Sequence, residues 1–151
     1  MPKIWRIVDL IQWSDSYFRE KSHQNPRLEI EWMLCSLLNC ERLDLYMRFD
    51  EPLSGSQLST LRGWVKRRSK NEPLQYITES CEFYGIEFFV DKRVLIPRPE
   101  TEVLVDMTLT FLKNKKRPTF LDLGTGTGCI SIALASEIKH IKGVARDNCN
   151  K

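Results

Sequence analysis

The sequence predicts an α/β protein: a small N-terminal helical bundle over residues 1–72, a β-hairpin linker over 73–93, and the first part of an open parallel sheet over 94–151. Three observations carry this. Apolar residues recur at helical spacing up to the Lys66–Lys70 charge run. A stretch rich in aromatic and β-branched residues around Gly85 then reads as paired strands. Finally, Phe120-Leu121-Asp122-Leu123 runs into Gly124-Thr125-Gly126-Thr127-Gly128 and an apolar Cys129–Ala135 stretch, the pattern of strand, glycine turn and helix.

In the first part, Ile4, Ile7, Val8, Ile11 and Phe18 set one amphipathic helix from Ile4 to about Lys21, flanked by Trp5 and Trp13. Asn25-Pro26 interrupts the chain, and Pro26 suits the first position of a second helix carrying Leu28, Ile30, Trp32, Met33, Leu37 and Leu38. Leu43, Leu45, Tyr46 and Phe49 indicate a short third helix. Ser54 or Ser56 caps a fourth, whose stripe is Leu58, Leu61, Trp64 and Val65. The four tryptophans fall in these helices and are expected to pack in a core or between domains rather than to stack on bases. Lys66-Arg67-Arg68-Ser69-Lys70 is read as solvated cations offsetting a helix dipole, with a basic surface for an acidic protein or ribosomal RNA as the alternative.

In the second part, Gln75–Ile77, Cys81–Tyr84 and Ile86–Val90 form the expected hairpin, turning near Gly85. Pro97 and Pro99 stiffen an extended segment, and Pro99 opens a helix with Glu100 and Glu102 in its first turn and Val103, Leu104, Met107, Leu109, Phe111 and Leu112 beyond. The strand at Phe120–Leu123 is expected to be covered on both faces.

The glycine turn is the chemical centre, and a ligand is expected on the helix N-terminus that follows it. Its spacing departs from the dinucleotide fingerprint, because Cys129 stands where a further glycine is required, and from the P-loop, because Gly128 is followed by Cys129-Ile130. What remains is Asp122-x-Gly-x-Gly-x-Gly with Asp147 25 residues after Asp122, beyond the apolar run Gly143-Val144-Ala145. One strand-helix-strand unit would put that second carboxylate at the neighbouring strand tip, where it takes both hydroxyls of a ribose. This resembles the arrangement of S-adenosylmethionine-dependent methyltransferases; a tight turn without a ligand is the alternative.

Composition narrows the class. Hydrophobic residues at 42%, charged residues at 28% and a net charge of +3 describe a soluble globular protein with too little charge to argue for nucleic-acid binding. The five cysteines (Cys35, Cys40, Cys81, Cys129, Cys149) are scattered and form no C-x-x-C pair, which supports neither a disulfide framework nor a metal site and suits a reducing compartment. No apolar run is long enough to span a membrane, and Met1–Ser14 has no secretory character, so a cytoplasmic location is expected.

Four stretches carry a wider resemblance: Glu72 to Thr78, Glu82-Phe83-Tyr84-Gly85, Val94 to Glu102 and Leu121 to Gly128. Through them the chain resembles the release-factor glutamine methyltransferases, once called HemK-type proteins. The resemblance implies a Rossmann-like class I methyltransferase domain, S-adenosyl-L-methionine as cofactor, a glutamine side-chain amide as acceptor and a peptide chain release factor as partner. It also implies that the helical bundle helps to hold the protein substrate. By position, Gly124, Thr125, Gly126, Thr127 and Gly128 face the methionine part of the cofactor, Asp147 the ribose, and Asp122 the turn and the ammonium side. Arg98, Glu100 and Thr101 border cofactor and substrate, with a structural ion pair as the alternative for Arg98. Retention of Pro99-Glu100-Thr101-Glu102 favours a release factor over a ribosomal protein.

Departures from the family pattern are equally specific. Glu79 stands where a glycine is usual, so a reshaped turn is expected there, and Arg146 stands where an apolar residue is usual. The Asn-Pro-Pro-Tyr motif that holds the acceptor amide in this family does not occur in these 151 residues. The expectation is therefore an N-terminal portion, as a fragment or truncated product, that is inactive alone. A non-catalytic protein-binding module and an amino-methyltransferase of ribosomal protein or DNA are the alternatives.

Overall fold

The computed structural model describes residues 4–21 and 23–148; Met1 and Cys149 lie outside them. The chain is α/β and divides after Thr78 into two compact units. The first holds α1 (Ile7–Glu20), α2 (Pro26–Leu38), α3 (Arg42–Met47), α4 (Gly55–Arg68) and α5 (Leu74–Thr78). The second holds β1 (Ser80–Phe83), β2 (Ile86–Phe89), a 3-10 turn (Pro99–Thr101), α6 (Glu102–Leu112), β3 (Thr119–Leu123), α7 (Cys129–Glu137) and β4 (Lys142–Arg146).

Capping chemistry sets the helix starts in the first unit. Asp9 Oδ2 accepts from the Arg6 amide, Asp44 Oδ2 from the Glu41 amide, and Gln57 Oε1 from the Ser54 amide, at 3.0, 2.9 and 2.8 Å. Ser54, not Ser56, is the cap of α4, its Oγ accepting from the Gln57 amide at 3.3 Å. Helix α1 begins at Ile7 rather than Ile4, because the backbone before it is drawn into an extended bridge: Ile7 N donates to Glu51 O and Leu53 N to Trp5 O. Ile7, Leu10, Ile11 and Phe18 of α1 then pack with Ile30, Met33 and Leu34 of α2 around a core completed by Leu45, Leu61, Val65, Leu74 and Ile77. Each fully buried large side chain contributes about 2 kcal/mol by leaving water.

Three expectations are corrected in this unit. Gln75–Ile77 is not a strand: the Tyr76 and Ile77 amides both donate to Pro73 O and Thr78 Oγ1 donates to Leu74 O, closing the single turn α5. Arg67 and Arg68 are tied into ion pairs instead of ending in solvent alone. Arg67 donates to both Glu72 oxygens and to Tyr76 O at 2.9 Å, while Arg68 donates to both oxygens of Glu29 at 2.8 Å. His23 Nδ1 lies 3.0 Å from the same Glu29 carboxylate, so this cluster ties α4 to α2 and to the preceding loop. The tryptophans differ: Trp5 precedes α1 instead of lying in it but packs against the core as Trp64 does, while Trp32 is 49% exposed.

The second unit opens with the β1–β2 hairpin, antiparallel, pairing Cys81 with Phe88 and Phe83 with Ile86. Tyr84 and Gly85 make its turn at φ +53° and +69°, the geometry that matches the twist of two-residue hairpins. Tyr84 also anchors α6, its amide donating to Glu102 and its hydroxyl to Asp106, both at 2.8 Å. On α6 the buried residues are Val105 and Leu112, whereas Val103, Leu104, Met107 and Phe111 are exposed. Strands β3 and β4 pair in parallel, Phe120 opposite Gly143 and Asp122 opposite Ala145. The expected cover on both faces is not found: Leu121, Leu123 and Val144 are exposed. Two paired strands hide one edge each but no face, and among the described residues the helix packed against β4 is α7.

Glu79 has a φ of +58°, so the turn keeps the left-handed backbone that a glycine would take freely. It is strained rather than reshaped, and Val90 N still donates to Glu79 O at 3.2 Å. Glu79→Gly is expected to raise unfolding stability by about 0.5–1 kcal/mol, relief of left-handed strain exceeding the added chain entropy. Urea unfolding checks this; a midpoint equal to or below that of the unaltered chain contradicts it.

Candidate functional site

The site is assembled where β3 ends. Gly124, Gly126 and Gly128 have φ of +76°, +56° and +77°, a backbone path closed to most side chains. A Cβ at Gly124 or Gly126 would meet nothing within 4 Å, so conformation rather than crowding selects glycine there, and the surface of the turn lies open to close approach. The path is held from β4: the amides of Gly124 and Thr125 both donate to Arg146 O, at 2.8 and 3.2 Å. Because Arg146 acts here through its carbonyl, an unusual side chain at that position is tolerated.

Two carboxylates meet this turn. Asp122 Oδ2 accepts from Thr125 Oγ1 and from Ser131 Oγ, both at 2.7 Å. Both donors sit on one oxygen, which fixes the carboxylate plane and leaves the lone pairs of Oδ1 for a further donor. Asp147, one residue beyond β4, accepts from the Gly126 amide through Oδ2 and from the Asn148 amide through Oδ1, both at 2.6 Å. Thr127 and Gly128 are half-buried and lead into α7, with Gly128 N donating to Thr125 O at 2.9 Å. An open bend flanked by two oriented carboxylates fits a ligand that carries both a cationic group and neighbouring hydroxyls.

Ser131 was not singled out from the sequence, although a hydroxyl in the first turn of the helix after such a bend is the signal that would have found it. Arg98, Glu100 and Thr101 stand apart from this arrangement. They form the 3-10 turn before α6, where Thr101 N donates to Arg98 O at 2.9 Å, and Arg98 and Glu100 are exposed. No hydrogen bond or ion pair links them to the glycine turn among the described residues. An activated thiol is not part of the chemistry at Cys35, Cys40 or Cys81: burial pushes the Cys35 thiol up to about 11 and raises the other two as well.

Comparison with known proteins gives the relationship. A family model described as the PrmC N-terminal domain matches residues 9–78. A release factor glutamine methyltransferase of Geobacter sulfurreducens is 44% identical over 143 residues, covering 95% of this chain and 50% of that protein. Those of Chlorobaculum tepidum and Rhodopirellula baltica are 39% and 37% identical, covering 96% and 95% of this chain and 51% and 50% of their own lengths. The chain thus spans about half the length of the curated relatives it matches. Over that span the chain is similar in sequence to the release factor glutamine methyltransferases, and its residues 9–78 match the PrmC N-terminal domain.

Proposed function

We propose that this chain holds S-adenosyl-L-methionine at the glycine turn and forms part of an enzyme that methylates the side-chain amide of a glutamine in peptide chain release factors. In this reading β3, α7 and β4 open a Rossmann-like class I methyltransferase sheet, and the helical unit receives the protein substrate. The observation that carries it is the convergence of Asp122 and Asp147 on one bend, each oriented by hydrogen bonds. Asp122 Oδ1 takes the donor's ammonium group; Asp147 takes the ribose hydroxyls; the glycines let the backbone lie against the chain between them. Arg98, Glu100 and Thr101 are assigned to the rim shared by donor and acceptor.

The bound donor supplies an electrophilic methyl group on a sulfonium. An amide nitrogen is a weak nucleophile, so transfer needs acceptors on both of its N–H bonds to align it with that methyl. The Asn-Pro-Pro-Tyr run assigned to that task does not occur in this sequence. The proposed division is therefore donor binding by these residues without transfer by this chain alone, in a cytoplasmic setting.

Calorimetry tests the reading. Titration with S-adenosylhomocysteine is expected to give one-to-one binding, and 5′-methylthioadenosine, which lacks the amino-acid portion, to bind more weakly. No binding of either compound would favour a non-catalytic module and overturn the assignment.

A further inference from the structure

Within the helical unit, α1 and α4 leave an apolar groove of about 100 Å³ between them. Leu10, Leu61 and Val65 form its floor and are nearly inaccessible, while Trp5 and Trp13 form one wall. Trp13 remains 43% exposed even though its ring meets Trp5 edge-on at 6.1 Å and stacks on Tyr17 at 5.1 Å. The wall is thus ordered by its own packing, so a partner closing over it loses little further side-chain freedom. At the rim stands Arg62. It is exposed and makes no ion pair among the described residues, in contrast to Arg67 and Arg68 on the same helix. Lys66, one turn further along α4, is also exposed, so this side of the groove is cationic.

Resting on the reading that the helical unit receives the protein substrate, we infer that this groove is where that substrate docks. An acidic segment of the release factor inserts one branched aliphatic side chain against Trp5 and Trp13 and sets a carboxylate on Arg62. Three features argue for that occupant. The cavity has room for an aliphatic side chain. Its rim is unpaired positive charge, which selects an acidic partner and repels a basic one such as a second copy of this net-positive chain. Its composition, tryptophan and arginine around an apolar floor, is that of residues that dominate binding energy when buried at an interface.

The test uses the full chain, a peptide chain release factor from the same organism and fluorescence anisotropy at two salt concentrations. Arg62→Glu, an exposed change that leaves the core untouched, is expected to weaken binding at least about tenfold and to reduce its salt dependence. Trp13→Ala is expected to weaken it by a similar factor with less change in salt dependence. Lys116→Glu, on the basic loop before β3, serves as the charge control and should bind as the unaltered chain does. S-adenosylhomocysteine binding should be equal in all four proteins. If the unaltered chain binds and both groove variants bind equally well, this inference fails while the proposed function stands. If the unaltered chain does not bind the release factor at all, the inference and the reading beneath it fall together. Self-association of the chain that Trp13→Ala abolishes, with release-factor binding intact, would assign the groove to a second copy and overturn the proposal.

Discussion

Glu31→Gln is expected to lower the stability of the helical unit by about 2–4 kcal/mol at pH 7, less than the about 3–5 kcal/mol found for a fully buried ion pair because Arg27 and Arg42 are half exposed. Glu31 sits on α2 with no exposed surface. Its Oε1 accepts from Arg27 Nε at 2.8 Å and from Tyr46 Oη at 2.9 Å, and its Oε2 accepts from Arg42 Nε at 2.6 Å. One carboxylate therefore joins α2 to α3 through three donors. An amide in its place keeps the shape but loses the charge, and its NH2 end faces guanidinium groups that cannot accept.

The same cluster fixes a pH dependence. Burial pushes the Glu31 carboxyl up, but the hydrogen bonds from Arg27, Tyr46 and Arg42 outweigh it, and its pKa lies below the ordinary value. A group whose pKa is lower folded than unfolded adds stability that is complete above the unfolded value, about 4.3 for glutamate, and is lost as the pH falls through the folded one. The stability gap between the unaltered chain and Glu31→Gln should therefore be full at neutral pH and narrow below about pH 4. Urea unfolding of both proteins across that range checks it; a gap that is constant with pH contradicts the assignment.

The second large effect is expected at the glycine turn. Gly126→Val must place a β-branched residue at φ +56°, at a cost of about 1–3 kcal/mol in backbone strain. It also fills the open space over the turn, where the donor is proposed to lie. S-adenosylhomocysteine affinity is expected to fall at least about thirtyfold, beyond what strain alone costs the folded state. Calorimetry paired with thermal unfolding separates the two contributions. An unfolded fraction that accounts for the whole loss of binding would contradict a direct role for the turn.

Much of this architecture was legible because it is local. The helix boundaries at Pro26 and Ser54, the hairpin around Gly85 and the strand-turn-helix at Phe120–Ala135 are each written in a few adjacent residues. The spacing of Asp122 and Asp147 is that of one strand-helix-strand unit, and both side chains lie at the turn. What escaped reading depends on distant partners. Arg68 reads as a solvated helix-end cation until Glu29, 39 residues away in sequence, is seen to hold it. Gln75–Ile77 has the side chains of a strand, yet the Pro73 carbonyl collects two amides and winds the segment into a turn. On α6, Val105 is inward and its neighbour Leu104 outward, a difference set by what packs against the helix and not by its apolar content. Ser131 carried a local signal, a hydroxyl in the first turn after the glycine bend, but its acceptor Asp122 lies nine residues back, across the turn.

The central claim is that the bend between Asp122 and Asp147 is a methyl-donor site. Its most direct test is the amide spectrum of the ¹⁵N-labelled chain titrated with S-adenosylhomocysteine. Saturable shifts are predicted at Gly124, Gly126, Gly128 and Asp147, with the helical unit unchanged. Shifts confined to other residues, or none at ligand concentrations that saturate a full-length relative, would contradict it.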